Sequence, residues 1–81
     1  MAEPIQAIME ELLIEYTPVD LAEKLKCSTA TISKYKHGKM QPSKRAAYYI
    51  YKEFGRVVTP FSEEGILSYA EQLLFKDSNN D

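Results

Sequence analysis

Apolar residues recur along this chain with the period of a helix. Ile5, Ile8, Met9, Leu12, Leu13 and Tyr16 follow i, i+3, i+4, i+7, i+8, i+11, one stripe of an amphipathic helix. Glu3, Glu10, Glu11 and Glu15 take the other faces, and Pro4 suits an initial helical position, where its missing N–H costs nothing. A second start lies at Thr17-Pro18, with Thr17 as N-cap and Asp20 placed to meet exposed backbone N–H groups. Val19, Leu21, Ala22 and Leu25 supply that helix's short apolar face. Lys26-Cys27-Ser28 interrupts the pattern, and Ser28 caps a third helix from Thr29 to about Lys36, in which only Ile32 and Tyr35 are large and apolar. Gly38 reads as a left-handed stop. Pro42-Ser43 opens a fourth helix with the stripe Ala47, Ile50, Tyr51 and Phe54, ended by Gly55. Residues 56–60, with Val57 and Val58, fit either a short extended stretch or a loop. Ser62 caps a fifth helix, with Phe61 in staple range of Ile66, and its stripe is Ile66, Leu67, Ala70, Leu73 and Leu74. The pattern predicts an all-α fold: a compact bundle of about five short helices over residues 1–75, one domain, with a polar flexible tail over 76–81.

Charge changes the picture more than composition does. Ten Lys and Arg against twelve Asp and Glu give a net charge of −2 and a pI near 5.4, where a nucleic-acid-binding domain usually lies above about 9. The sum hides an order. Residues 1–23 hold six acids and no base, residues 24–52 eight bases and no acid, and residues 53–81 six acids against two bases. No apolar run approaches the ~18 residues of a membrane span. The opening Met-Ala-Glu-Pro lacks the basic start and apolar stretch of a signal peptide. A single cysteine forms no internal disulfide, so the expected compartment is a reducing cytoplasm. An enzyme is not expected. Glu10-Glu11 and Glu63-Glu64 diverge around their helices rather than forming a dyad, and there is no Gly-rich phosphate loop and no nucleophile with a base. One histidine, His37, and one cysteine cannot build a zinc site, so no metal or cofactor is implied.

The window from Thr17 to Gly38 holds two helices too short to bury much alone, suited to crossing at a tight turn. Leu21 and Leu25 face the core, Ala22 admits a close crossing, Cys27 plugs the turn, and Ile32 and Tyr35 anchor the second helix. The run Asp20-Leu-Ala-Glu-Lys-Leu-Lys-Cys-Ser-Thr-Ala-Thr-Ile-Ser-Lys-Tyr-Lys-His-Gly38 resembles the helix-turn-helix of Cro and phage-repressor-like (XRE-type) regulators, which commonly read LAxxLGVSxxTISxWExG there. The likeness covers residues 17–55, about half the chain. Two departures stand out: Lys26 occupies the place of the usual turn glycine, and Lys36 that of the usual acidic residue.

The resemblance implies a lambda-repressor-like DNA-binding fold with helices 2 and 3 as the helix-turn-helix, motif 17–38. The second helix of such a pair lies in the major groove, which makes Thr29, Ala30, Ser33 and Lys34 the candidate base contacts. Thr17, Ser28, Thr31, Lys36, Lys39, Gln41, Lys44 and Arg45 are the candidate phosphate contacts. The implied function is a sequence-specific regulator of transcription, a repressor of phage, plasmid or bacterial type that binds a palindromic double-stranded operator as a homodimer in the cytoplasm. The apolar stripe of the fifth helix exceeds what one small bundle covers, so Ile66, Leu67, Leu73, Leu74 and Phe75 are candidates for the dimer interface. The alternative is a protein-interaction module, an antitoxin or adaptor whose fifth helix and acidic flanks engage a protein. Tyr49, pointing outward near Arg45 and Lys52, fits exposure, a phosphate contact or a partner contact equally.

Overall fold

Among the described residues five helices form, because amphipathic segments alternate with caps and breakers. A computed structural model describes residues 2–79, the side chains of residues 74–79 excepted. The helices are α1 (Ile5–Glu15), α2 (Pro18–Leu25), α3 (Thr29–Lys36), α4 (Lys44–Phe54) and α5 (Glu63–Asn79). The all-α expectation holds. Pro4 stands one place earlier than its helical assignment, as an extended N-cap with φ −61° and ψ 145°. At the other end α5 runs on through Asn79, over most of the expected flexible tail, because no glycine or proline after Gly65 stops it. Among the described residues no helix is long and apolar enough to cross a membrane.

The core is one cluster. Ile5, Ile8, Met9 and Leu12 of α1 meet Leu21, Ala22 and Leu25 of α2, Ile32 and Tyr35 of α3, Ala46, Ala47 and Ile50 of α4, Val58, and Ile66 of α5. Helix α3 packs on both α1 and α2, while α4 joins α2 to α5. Each buried Ile or Leu of this set contributes about 1.5–3 kcal/mol relative to exposure. Val19 does not join the apolar face of α2. It lies two residues from Leu21, about 200° around the helix, and is 57% exposed.

Three helix ends are fixed by the chemistry the sequence foretells. Thr17 Oγ1 accepts from the Asp20 N–H at 3.1 Å, and the Asp20 carboxylate accepts in return from the Thr17 N–H at 3.5 Å. Lys26 closes α2 in the left-handed region, φ 57° and ψ 47°, and the next N–H, of Cys27, donates to the Ala22 carbonyl at 2.9 Å. Gly38, at φ 67°, lets the Lys39 N–H return to the Lys34 carbonyl at 2.8 Å. A Cβ at Gly38 would stand 2.9 Å from Gln6 Oε1, so both the conformation and the neighbour favour glycine there.

Residues 56–58 run extended and Thr59-Pro60 makes a turn, closed by the Phe61 N–H donating to the Val58 carbonyl at 3.0 Å. Val58 forms an isolated parallel bridge with Glu3, in which the Glu3 N–H donates to the Val57 carbonyl at 2.8 Å and the Thr59 N–H to the Glu3 carbonyl at 2.9 Å. The Thr59–Pro60 peptide is cis. Arg56 fastens the same junction, donating through Nε to Glu3 at 2.8 Å and through Nη2 to both Glu3 and Glu11. The Arg56 hydrogen bonds hold the Glu3 carboxyl below its usual range.

Two outcomes follow for stability. Lys26→Gly relieves an αL side chain against a larger unfolded-state entropy, and thermal denaturation should register a net gain of about 0.5–1 kcal/mol. Because the folded pKa of Glu3 is depressed, its contribution is present above the ordinary glutamate pKa and is lost as pH falls through the lowered one. Melting temperatures measured from neutral to acidic pH should therefore drop less steeply for Glu3→Gln than for the unsubstituted chain.

Candidate nucleic-acid interface

Rotation of α3 about its axis decides what this surface presents. Ile32 is 1% and Tyr35 4% exposed, against α1 and α2, and burial raises the pKa of the Tyr35 hydroxyl. The opposite face then carries Ala30, Ser33, Lys34 and His37, spaced i, i+3, i+4, i+7 and all exposed. Ser28 starts the helix by accepting from the Thr31 N–H at 3.2 Å, and its hydroxyl also shares a 3.1 Å hydrogen bond with that of Thr31. Cys27, at the turn, is half-buried against the core, and burial pushes its thiol pKa up.

Two open hollows flank the outer face of α3. One, of about 440 Å³, is lined by Ala30, Ser33, Lys34, His37 and Lys39. The other, of about 330 Å³, is lined by Leu13, Pro18, Thr29, Ile32, Ser33, Lys36 and His37. Of the candidate base contacts, Ala30, Ser33 and Lys34 therefore share one hollow. Thr29 lies in the next, with Ser33 on the ridge between them. His37 stands on the same ridge, where its Nδ1 and the Ser33 carbonyl lie 2.9 Å apart in a hydrogen bond that turns Nε2 away from the helix. The spacing 30, 33, 34, 37 puts His37 on this face from the sequence alone, as an exposed residue near the helix C-terminus that is not among the candidate contacts.

The candidate phosphate contacts lie on α3, on the starts of α2 and α4 and on the connector after Gly38, and they are not alike. Thr17 and Ser28 are exposed and serve as caps, and Thr31 is half-buried with its hydroxyl engaged by Ser28. Lys36, Lys39, Gln41, Lys44 and Arg45 are exposed. Lys44 opens α4 beside Ser43, whose hydroxyl accepts from the Ala46 N–H at 3.2 Å, and Arg45 lies over the Tyr49 ring at 5.8 Å. Among the described residues Lys24 alone of the eight bases in 24–52 has a carboxylate partner. It pairs with Glu53 at 3.8 Å and lies 5.7 Å over Tyr16, on the α1–α2–α4 side. The other bases are spread over the fold: Lys26 ends α2, Lys34 and Lys36 lie on α3 with Lys39 just after it, Lys44 and Arg45 open α4, and Lys52 lies in the last turn of α4, 6.0 Å over Tyr48.

The candidate dimer residues divide. Ile66 is 2% exposed in the chain's own core, so its place in a dimer interface is corrected: it has no surface left to offer. Leu67 is 45% exposed and Leu73 half-buried, while the side chains of Leu74 and Phe75 lie outside the described residues. Among the described residues no group of three His, Cys, Asp or Glu converges on a point that would hold a metal.

The Ser28 cap carries a direct test. Ser28→Ala removes the acceptor of the Thr31 N–H and should lower stability by about 1 kcal/mol, measured by chemical denaturation. Comparison with protein-family models, curated proteins and solved structures finds no match for this chain.

Proposed function

We propose that the protein is a sequence-specific double-stranded DNA-binding regulator of transcription, a repressor of the XRE type that meets a two-fold operator as a homodimer in the cytoplasm. The observation that carries this reading is the outer face of α3: short side chains and Lys34 at the centre, free cations around it, and no acid. An eight-residue helix is about 12 Å long, and a major groove about 12 Å wide admits it. Short side chains at Ala30 and Ser33 permit close approach, the Ala30 and Thr29 methyls suit thymine methyls, and Lys34 can donate to guanine O6 or N7. Lys36, Lys39, Lys44 and Arg45 would meet phosphates on either side, assisted by backbone N–H groups at the starts of α2 and α4. Half-sites would lie roughly 34–36 Å apart, with Leu67 and the α5 surface toward the second copy.

A second reading is an interaction module, favoured by Ile14 at 83% and Val19 at 57% exposure near the α1–α2 corner. Neither residue has a part in the DNA scheme.

Selection of bound sites from random duplexes separates the two readings: a palindromic consensus supports the first, and no enrichment sinks it. On the selected site, log K should fall steeply with log salt. Lys34→Ala should cost about 1–3 kcal/mol and relax preference at one base position. Lys44→Ala should weaken all sequences alike and reduce the salt slope by about 1. Lys24→Ala, already neutralised by Glu53, should leave that slope nearly unchanged. Uniform losses from both Lys34→Ala and Lys44→Ala would remove Lys34 from the readers.

A further inference from the structure

Arg45 and Tyr49 stand one turn apart on α4, with the guanidinium carbon 5.8 Å from the centre of the ring. Tyr49 is half-buried, and its ring centre lies 5.2 Å from that of Tyr48. Tyr48 in turn meets Tyr69 of α5 edge-on at 6.1 Å. The three rings form a brace that runs from α5 across α4 to the exposed cation of Arg45. Among the described residues no carboxylate lies within ion-pair distance of Arg45, so the aromatic face is the contact that holds it.

That arrangement has a use for an anion-binding arginine. A free arginine side chain loses much rotamer freedom when it grips a phosphate, and a side chain already resting on a ring loses less at that moment. A guanidinium whose neighbour is a ring rather than a carboxylate also keeps its N–H donors for two phosphate oxygens. The phenol hydroxyl is not needed for either effect. The ring is.

We propose that Tyr49 is a positioning residue for DNA binding: its ring pre-orders the Arg45 guanidinium for a duplex phosphate, and Tyr48 and Tyr69 hold the ring in place. The inference rests on the DNA-binding reading above and adds to it a residue that touches no DNA. It also gives α5 a share in the nucleic-acid surface, through Tyr69, independent of any dimer contact.

The test is a double-mutant cycle read by fluorescence anisotropy on the selected duplex, with folding of each variant checked by circular dichroism. Tyr49→Leu should weaken binding about two- to fivefold. Tyr49→Phe should bind as the unsubstituted chain does, and in the Arg45→Ala background Tyr49→Leu should add no further loss. Equal losses in both backgrounds would overturn the proposal, and so would a Tyr49→Phe loss as large as that of Tyr49→Leu, which would make the hydroxyl a direct contact. If Tyr49→Leu does not fold, Tyr49→Met replaces it, with Arg45 Nε–Hε relaxation in the free protein as the second measurement. Faster side-chain motion of Arg45 supports the proposal, and unchanged motion overturns it. Failure of the unsubstituted chain to bind any duplex overturns the DNA reading together with this inference, whereas binding with additive losses overturns this inference alone.

Discussion

Burial of Ile32 and Tyr35 is the constraint on which the candidate surface depends. An eight-residue helix makes too few hydrogen bonds to hold itself, so its existence and its rotation both come from packing. Two anchors three residues apart leave one orientation in which both are buried, and that orientation turns Ala30, Ser33, Lys34 and His37 outward as a set. The left-handed Lys26 serves the same end. It turns the chain within one residue, so that Leu25 and Ile32 enter the same core from successive helices.

Electrostatics then separates the molecule by function rather than by net charge. Two N-terminal acids are consumed in structure: Glu3, just before α1, and Glu11, within it, converge on Arg56. Glu53 draws Lys24 toward the α1–α2–α4 side. Lys34, Lys36 and Lys39, on and just after α3, have no carboxylate partner among the described residues, while α5 opens on Glu63 and Glu64 at the end of a helix that favours negative charge. An overall charge of −2 therefore coexists with a local field of the opposite sign.

The legible part of this protein is the part encoded over a few residues. The Thr17, Ser28 and Ser43 caps, the glycine stops at Gly38 and Gly55 and the strained place of Lys26 all depend on neighbours within one or two turns, and each stands where its sequence puts it. Periodicity is a coarser guide: it places Val19 on a buried face and lets Ile66 serve a partner, since an apolar residue at the margin of a stripe can face either way. Contacts between distant segments left no local trace. Nothing in Glu3 announces Arg56 or Val58, nothing in Lys24 announces Glu53, and the two hollows beside α3 exist only once α1 and the residue after Gly38 are brought alongside it.

The Glu3–Val58 bridge has a bearing on how the chain comes apart. Its Arg56–Glu3 fastening joins residues 53 positions apart, a closure that costs about 3–4 kcal/mol of chain entropy. Helices α2 and α3, by contrast, are neighbours in sequence and share contacts without any long closure. The molecule therefore has a seam: the N-terminal residues and the passage into α5 can open as a unit of their own while the α2–α3 pair keeps its amides protected. In hydrogen exchange that seam would separate a fast-exchanging margin from a slow centre, and the slow centre is where Ile32 and Tyr35 are buried.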